Sequence, residues 1–122
     1  MSQYNFLLID DSKSVHAFLR QCLGPLAKEI HDCMDGLQGV EHLKLKQNYD
    51  LIFLDWEMPV MDGPTAFEEM KKMNLKVPVV MLTSKNDPLD IMRMIEAGVV
   101  EYLLKPFTAD IIESKVKSIL EE

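Results

Sequence analysis

At residues 51–55 the sequence reads Leu51-Ile52-Phe53-Leu54-Asp55, a short apolar run that ends in a carboxylate. Uninterrupted apolar runs of this length, separated by helical patterns, are typical of strands buried on both faces of a parallel sheet. Three other apolar runs in the chain also end in polar residues. The residues that follow them are Asp10-Asp11, Thr83-Ser84 and Lys105-Pro106. The repeated pattern predicts an α/β fold with polar groups at one edge of its sheet.

The carboxyl ends of parallel strands meet at one edge of an open α/β sheet, where such folds bind ligands. At this edge we expect a shared site, formed by Asp10, Asp11, Asp55, Thr83 and Lys105. Three neighbouring carboxylates repel one another, so without a cation at least one of them has a raised pKa. Mg²⁺ relieves this repulsion because it binds a few carboxylates, keeps several waters and contacts phosphate oxygens. An alternative is that Asp10 or Asp11 only caps the next helix.

Helical patterns separate the apolar runs along the whole chain. Ser12 is suited to cap the first helix, Pro64 fits the first turn of the third, and Gly98 closes the fourth. The second strand, from Ala27 to Cys33, is more polar than the others, as an edge strand is. Strands and helices are therefore predicted to alternate as (βα)5. The predicted strands cover residues 5–9, 27–33, 50–55, 77–82 and 99–104.

The length and charge of the chain narrow the functional classes. A chain of 122 residues suits one compact domain, which we expect to cover residues 1–122. The net charge of −7 argues against unspecific binding to nucleic acid or to an anionic membrane. Because no apolar stretch approaches a transmembrane span and the first residues lack a signal-peptide pattern, we expect a cytoplasmic protein without membrane insertion. Cys22 and Cys33 are expected to be reduced core residues.

Taken in order and at this spacing, the polar elements closely resemble the receiver domain of two-component response regulators, particularly stand-alone receivers of the chemotaxis type. The resemblance spans Phe6 to about Leu120. It implies a flavodoxin-like (βα)5 fold with a five-stranded parallel sheet in the order 2-1-3-4-5 and helices on both faces. The elements that carry it are Asp10-Asp11, Asp55, Met58-Pro59 with Asp62-Gly63, Thr83-Ser84 and Lys105-Pro106.

The resemblance also assigns roles to the acidic residues. Asp55 would accept a phosphoryl group from a phosphohistidine on a sensor histidine kinase or histidine phosphotransfer protein. Asp11 would bind Mg²⁺ directly, Asp10 mainly through water, and the backbone carbonyl of Glu57 would complete the protein ligands. The domain would catalyse only its own phosphorylation and dephosphorylation, so we expect no enzyme that acts on a separate metabolite.

Three further residues match the family's signalling apparatus. Lys105 would pair with the phosphoryl group or, before phosphorylation, with Asp55, and its bond to Pro106 would be cis. Thr83 would hydrogen-bond a phosphoryl oxygen. Tyr102 would turn inward as Thr83 moves, and so change a surface formed by the fourth helix, fifth strand and fifth helix. We expect this surface to bind a downstream protein, with no direct contact to nucleic acid.

Three other interpretations stay open from the sequence. A haloacid dehalogenase-type phosphatase also forms an aspartyl-phosphate, but it needs an Asp-x-Asp motif, and Asp10-Asp11-Ser12 lacks the second spaced carboxylate. A pseudo-receiver would bind its partner without phosphorylation, although such proteins usually lose one of the five site elements. The chain could also be a receiver cut from a longer regulator.

The residues beside the phosphoryl site suggest how its lifetime is set. Glu57 lies two residues after Asp55, and Lys85 lies two residues after Thr83. We predict that these opposite charges pair across the mouth of the site and obstruct attacking water. The phosphoryl state should then last longer than in Glu57→Ala/Lys85→Ala. The alternative is two solvated charges, and Ser84 is small enough to leave phosphodonors access.

Several of the nine methionines fall at helical or strand spacing. Methionine at such spacing more often packs in the core than at a partner surface, although its thioether suits both. We predict core positions for Met70, Met73, Met81 and Met92, and a surface position for Met94.

Overall fold

Strands and helices alternate along the chain in the computed structural model, which describes residues 3–121. A single 3₁₀ turn, Gly24–Leu26, separates the first helix from the second strand. The elements are β1 (Tyr4–Ile9), α1 (Lys13–Leu23), β2 (Ala27–Cys33), α2 (Gly36–Leu45), β3 (Leu51–Asp55), α3 (Gly63–Lys72), β4 (Val79–Thr83), α4 (Pro88–Ala97), β5 (Glu101–Leu104) and α5 (Ala109–Leu120).

The five strands form one parallel sheet in the order β2-β1-β3-β4-β5. This confirms the predicted flavodoxin-like topology. Every residue of β3 and β4 is buried, whereas β2 at the edge is mostly half-buried. The difference explains why the central strands are continuously apolar in sequence and β2 is not.

Helices cover both faces of the sheet and enclose two apolar clusters. Along β1, Leu7 and Ile9 join the cluster under α2, α3 and α4, while Phe6 and Leu8 join the cluster under α1 and α5. Successive strand residues point to opposite faces, so each central strand contributes to both clusters. The sheet is therefore held from both sides, and the ends of its strands are fixed in space.

Each of the five described α-helices begins with a side-chain cap. The capping oxygen accepts a hydrogen bond from a backbone N–H of the first turn, which has no partner within the helix. Ser12 caps α1 as predicted, Pro64 lies in the first turn of α3, and Gly98, at a φ of 120°, ends α4. The capping residues are Ser12, Asp35, Asp62, Asp87 and Thr108.

Gly63 joins the loop after β3 to the start of α3. Its N–H donates to the carbonyl of Trp56 at 2.8 Å. A Cβ at this position would lie 2.4 Å from the carbonyl oxygen of Asp55, so no larger residue fits without moving the backbone. The loop before it contains Val60 at a φ of 69°, an uncommon conformation for a β-branched residue. The chain therefore turns back tightly against the end of β3.

The observed element boundaries differ slightly from the predicted ones. β4 begins at Val79 instead of residue 77, since Pro78 has no N–H to donate to a neighbouring strand. β5 begins at Glu101 instead of residue 99, because the N–H of Val99 donates to Met94 and closes α4.

The placement of the methionines corrects one prediction. Met70 and Met81 are buried as predicted, and Met73 packs against the core while partly exposed. Met94, predicted at the surface, is only 4% exposed, whereas Met92, predicted in the core, is 55% exposed. α4 is thus rotated relative to the predicted orientation, and Met94 joins the core cluster on that face of the sheet.

Three further observations complete the fold. Cys33 is buried, Cys22 is half-buried, and both are free thiols. None of the helices within residues 3–121 combines the length and the hydropathy that a membrane span requires. The two ends of the described chain lie side by side, since the hydroxyl of Tyr4 donates to Oε2 of Glu121 at 3.4 Å.

Candidate functional site

The carboxyl ends of β1 and β3 bring three carboxylates together, as the sequence predicts. Oxygens of Asp10, Asp11 and Asp55 all lie within 4.8 Å of one another. Asp10 and Asp55 are 1% and 4% exposed, while Asp11 faces solvent. The cluster is therefore open on one side, at Asp11.

Hydrogen bonds fix the orientation of Asp10. Its Oδ1 accepts from the N–H of Ser12 at 2.8 Å, and its own N–H donates to the carbonyl of Cys33 at 3.1 Å. The side chain that caps α1 is that of Ser12, so the alternative that Asp10 or Asp11 serves only as the cap does not hold.

Lys105 brings a positive charge to the two buried carboxylates. Its Nζ lies 3.0 Å from Oδ1 of Asp55 and 3.2 Å from Oδ2 of Asp10. The Lys105-Pro106 peptide bond is cis, as the resemblance implies, and the N–H of Lys105 donates to the carbonyl of Thr83 at 2.7 Å. The ends of β1, β3, β4 and β5 thus meet around one lysine.

The one positive charge of Lys105 does not neutralise the negative charges of all three carboxylates. Burial raises the pKa of Asp55 to about 6, the charges of Asp10 and Asp11 add to this effect, and Lys105 opposes it only in part. Although burial alone would lower the pKa of Lys105, hydrogen bonds and charge from Asp55 and Asp10 raise it above its usual value. A divalent cation fits this donor set, because hard cations bind carboxylate oxygens. The part played by the Glu57 carbonyl stays a prediction.

Thr83 and Tyr102 both hydrogen-bond the backbone of one residue in the loop after β4, Lys85. Thr83 is buried, and its Oγ1 accepts from the N–H of Lys85 at 2.9 Å. The hydroxyl of the half-buried Tyr102 donates to the carbonyl of the same Lys85 at 2.9 Å. The ring of Tyr102 also meets Trp56 edge-on, with 6.3 Å between the ring centroids. A movement of Thr83 would therefore reach Tyr102 through Lys85.

The predicted ion pair between Glu57 and Lys85 is wrong for the structure of residues 3–121. Oε1 of Glu57 instead accepts from the hydroxyl of Ser84 at 3.2 Å. The ammonium of Lys85 lies 5.7 Å from the ring centroid of Trp56, an aromatic face that attracts cations. Each side chain thus contacts a residue of the opposite loop, and the two charges do not pair with each other.

Sequence reasoning missed His16, a buried residue of α1 that contacts the backbone of Asp10. The sequence contains one indication of this contact. His16 follows the capping Ser12 by one helical turn, and at that spacing it lies above the loop that carries Asp10 and Asp11. A histidine on an amphipathic helix does not by itself indicate such a contact.

A family model described as the response regulator receiver domain matches residues 6–117. The chain belongs to this family. Over 119 residues the receiver is 39% identical to the sensor histidine kinase CheAY of Helicobacter pylori, with 95% of the chain and 15% of the kinase aligned. It is 29% identical to the chemotaxis protein CheY1 of Helicobacter pylori over 117 residues, which cover 93% of the chain and 94% of that protein.

Solved structures agree with this assignment. The receiver superposes on the receiver domain of a signal transduction histidine kinase from Syntrophus aciditrophicus with a TM-score of 0.84 and 30% sequence identity. The superposition covers 97% of this chain and 90% of that one. The receiver spans about half the length of two transcriptional regulators that it also matches, so it corresponds to one part of those proteins.

Proposed function

We propose that this receiver accepts a phosphoryl group on Asp55 in a reaction that requires Mg²⁺. The observation that carries the proposal is the position of Asp55, buried at the end of β3 between two other carboxylates and the ammonium of Lys105. The donor would be a phosphohistidine on a sensor histidine kinase or a histidine phosphotransfer protein. The domain would act on no separate metabolite and would work in the cytoplasm.

In the proposed reaction a carboxylate oxygen of Asp55 forms a bond to phosphorus, and the bond between phosphorus and the donor histidine nitrogen breaks. Mg²⁺ held by Asp10, Asp11 and Asp55 would supply charge neutralisation at the phosphoryl oxygens. Lys105 is already within hydrogen-bond distance of Asp55, so its ammonium is placed to stabilise the same negative charge.

Thr83 has a proton available for the phosphoryl group. Its oxygen accepts from the N–H of Lys85, which leaves the hydroxyl hydrogen free to donate. If Thr83 moved toward a phosphoryl oxygen, it would pull on the N–H of Lys85, the residue whose carbonyl accepts from Tyr102. We expect Tyr102 to move in response and to change the surface of α4, β5 and α5.

This surface is suited to bind a downstream protein, because it exposes large apolar side chains instead of a basic face for nucleic acid. The exposed residues are Leu89, Met92, Ile95, Leu104 and Ile111. Glu57, Ser84 and Lys85 flank the phosphoryl site, and we expect each to influence the phosphoryl lifetime separately, not as an ion pair.

Intact mass after incubation with acetyl phosphate tests the proposal, with Mg²⁺ or with a chelator. We expect one phosphoryl adduct that needs Mg²⁺ and is lost in Asp55→Asn. Asp110→Asn, in the exposed first turn of α5, is the matched control and should keep the adduct. No adduct on the folded wild type would favour the pseudo-receiver, and an adduct that persists in Asp55→Asn would mean another acceptor.

A further inference from the structure

A buried histidine lies directly behind the acidic cluster. His16 of α1 is 6% exposed and sits between the ends of β1 and β2. Its Nε2 is 2.7 Å from the backbone carbonyl of Asp10, and its Nδ1 is 2.7 Å from Oδ1 of Asp32. A carbonyl oxygen only accepts hydrogen bonds, so Nε2 carries a hydrogen and donates to Asp10.

The carbonyl that His16 holds belongs to the peptide that joins Asp10 to Asp11. The orientation of this peptide decides where both carboxylates point, since each is carried on one side of it. The N–H and the side chain of Asp10 form hydrogen bonds with other groups, and the carbonyl of Asp10 accepts its hydrogen bond from His16. Without a donor, this carbonyl would be buried and unpaired, which favours rotation of the peptide toward another partner.

A second layer of contacts holds the histidine in turn. Asp32 of β2 accepts from Nδ1 of His16 and from two nitrogens of Arg20, and Arg20 also donates to the carbonyl of Ile30 at 3.1 Å. Burial raises the pKa of Asp32, but the hydrogen bonds from Arg20 and His16 outweigh it and hold that pKa below its usual range. The imidazole is therefore fixed at both nitrogens.

We propose that His16 is a positioning residue for the divalent-cation site, acting through the Asp10 carbonyl. The inference rests on the proposed function, because it takes Asp10 and Asp11 as the residues that bind Mg²⁺. His16 itself touches neither the cation nor the phosphoryl group. It sets the geometry of the two carboxylates from behind, as outer-shell hydrogen bonds do in metal sites generally.

Two substitutions separate this role from ordinary core packing. The amide nitrogen of Gln lies at about the position of Nε2. His16→Gln therefore keeps a hydrogen-bond donor for the Asp10 carbonyl and loses the hydrogen bond to Asp32. The amide of Asn lies at about the position of Nδ1. His16→Asn therefore keeps the hydrogen bond to Asp32 and loses the hydrogen bond to the Asp10 carbonyl. Both variants lose one hydrogen bond and gain one buried amide, which makes each the matched control of the other.

The measurement is the Mg²⁺ dissociation constant without phosphodonor, from calorimetry and from the emission of Trp56, the one tryptophan of the chain. Urea unfolding without Mg²⁺ gives the stability of each variant. We expect His16→Gln to bind within about threefold of wild type and His16→Asn to bind about tenfold more weakly, although the two lose similar stability. If His16→Asn does not fold, His16→Leu replaces it as the variant without a donor.

The outcomes distinguish the inference from the function on which it rests. Equal affinities in His16→Gln and His16→Asn, or a weaker His16→Gln, would overturn the positioning role while Mg²⁺ binding by the wild type still supported the proposed function. A folded wild type that binds no Mg²⁺ at millimolar concentration would overturn both.

Discussion

At the scale of single residues, the main feature is the imbalance of charge around Asp55. Two buried carboxylates, those of Asp10 and Asp55, share the ammonium of Lys105, and the negative charge of Asp11 lies beside them. The pKa of about 6 for Asp55 expresses this imbalance, because a buried carboxylate with a full set of partners would have a low pKa. Since a bound cation favours the ionised form, the proposed Mg²⁺ would also keep the acceptor in its nucleophilic state.

The raised pKa makes the stability of the metal-free protein depend on pH. Asp55→Asn removes the buried charge, so in chelator at pH 7.5 it should be more stable than wild type by on the order of 1–3 kcal/mol. The folded-state pKa of Asp55 lies above its unfolded value, so the wild type becomes more stable as the pH falls through about 6 toward 4. At the lower pH Asp55 is neutral, as the side chain in Asp55→Asn is at every pH.

The difference in stability between wild type and Asp55→Asn should therefore shrink as the pH falls. Urea unfolding at pH 7.5 and pH 4.5, both with chelator, measures this change. A less stable Asp55→Asn at pH 7.5 would contradict the prediction and would mean that the attraction of Lys105 outweighs burial.

At the scale of elements, α4 shows where sequence patterns reach their limit. Apolar residues lie on more than one side of this helix, so a 3.6-residue period fits two orientations. The sequence predicts Met92 in the core and Met94 at the surface, but the structure buries Met94 and exposes Met92. Met94 belongs to the same core cluster as Phe67 of α3, and a local sequence pattern does not encode such packing between helices.

The two neighbouring methionines of α4 give a matched test of this orientation. Met94→Ala should lower the free energy of unfolding by about 2–3 kcal/mol, because it leaves a cavity in the core. Met92→Ala should change it by no more than about 0.5 kcal/mol, because the side chain is exposed. Chemical denaturation of both variants checks the prediction, and equal losses would contradict the observed orientation.

The candidate site was more predictable than α4, for a physical reason. Apolar runs and turn residues show where each strand ends, and the carboxyl ends of parallel strands share one edge of the sheet, so Asp10, Asp55, Thr83 and Lys105 could be placed together. The strand order itself followed from the family resemblance. The partner of a long side chain in a loop cannot be inferred in this way. Glu57 accepts from Ser84 and does not pair with the next residue, Lys85, so the partner depends on the exact path of the loop.

The edge formed by β2 and α2 contains a second titrating group. The rings of His31 and His42 stack with 3.9 Å between centroids and an interplanar angle of 6°. Nε2 of His42 also contacts the hydroxyl of Tyr49. Burial lowers the pKa of His42, the charges of His31 and Lys46 lower it further, and Glu29 opposes them.

This edge should weaken in acid. A histidine whose folded-state pKa is depressed contributes stability above its unfolded pKa of about 6.5 and loses it as the pH falls through the folded value. His42→Gln keeps a donor for Tyr49 but does not titrate. Relative to this variant, wild type should therefore lose stability between pH 7.5 and 5, as measured by urea unfolding; a constant or growing advantage of wild type would contradict the prediction.

At the scale of the whole molecule, the site exists only when the sheet is complete. Its residues come from the ends of β1, β3, β4 and β5, which are separate in the unfolded chain. A cation that binds this arrangement should therefore stabilise the fold, by about 2.7 kcal/mol at a concentration of 100 times its dissociation constant.

Urea unfolding at several Mg²⁺ concentrations, at constant ionic strength, measures this stabilisation. Asp11→Asn removes the one exposed carboxylate of the cluster and should lose most of the effect while the metal-free protein stays folded. The same increase in Asp11→Asn as in wild type would mean that Mg²⁺ acts elsewhere on the molecule.

The contact between Tyr4 and Glu121 has a consequence for how the unit can be built into larger proteins. Both connections leave from one corner, beside the start of β1, and the acidic cluster lies a strand length of about 20 Å away. Such a domain can be inserted into a longer polypeptide without distorting the flanking chain or covering the site. The matched relatives differ widely in length, since the chain aligns with 15% of CheAY and with 94% of CheY1.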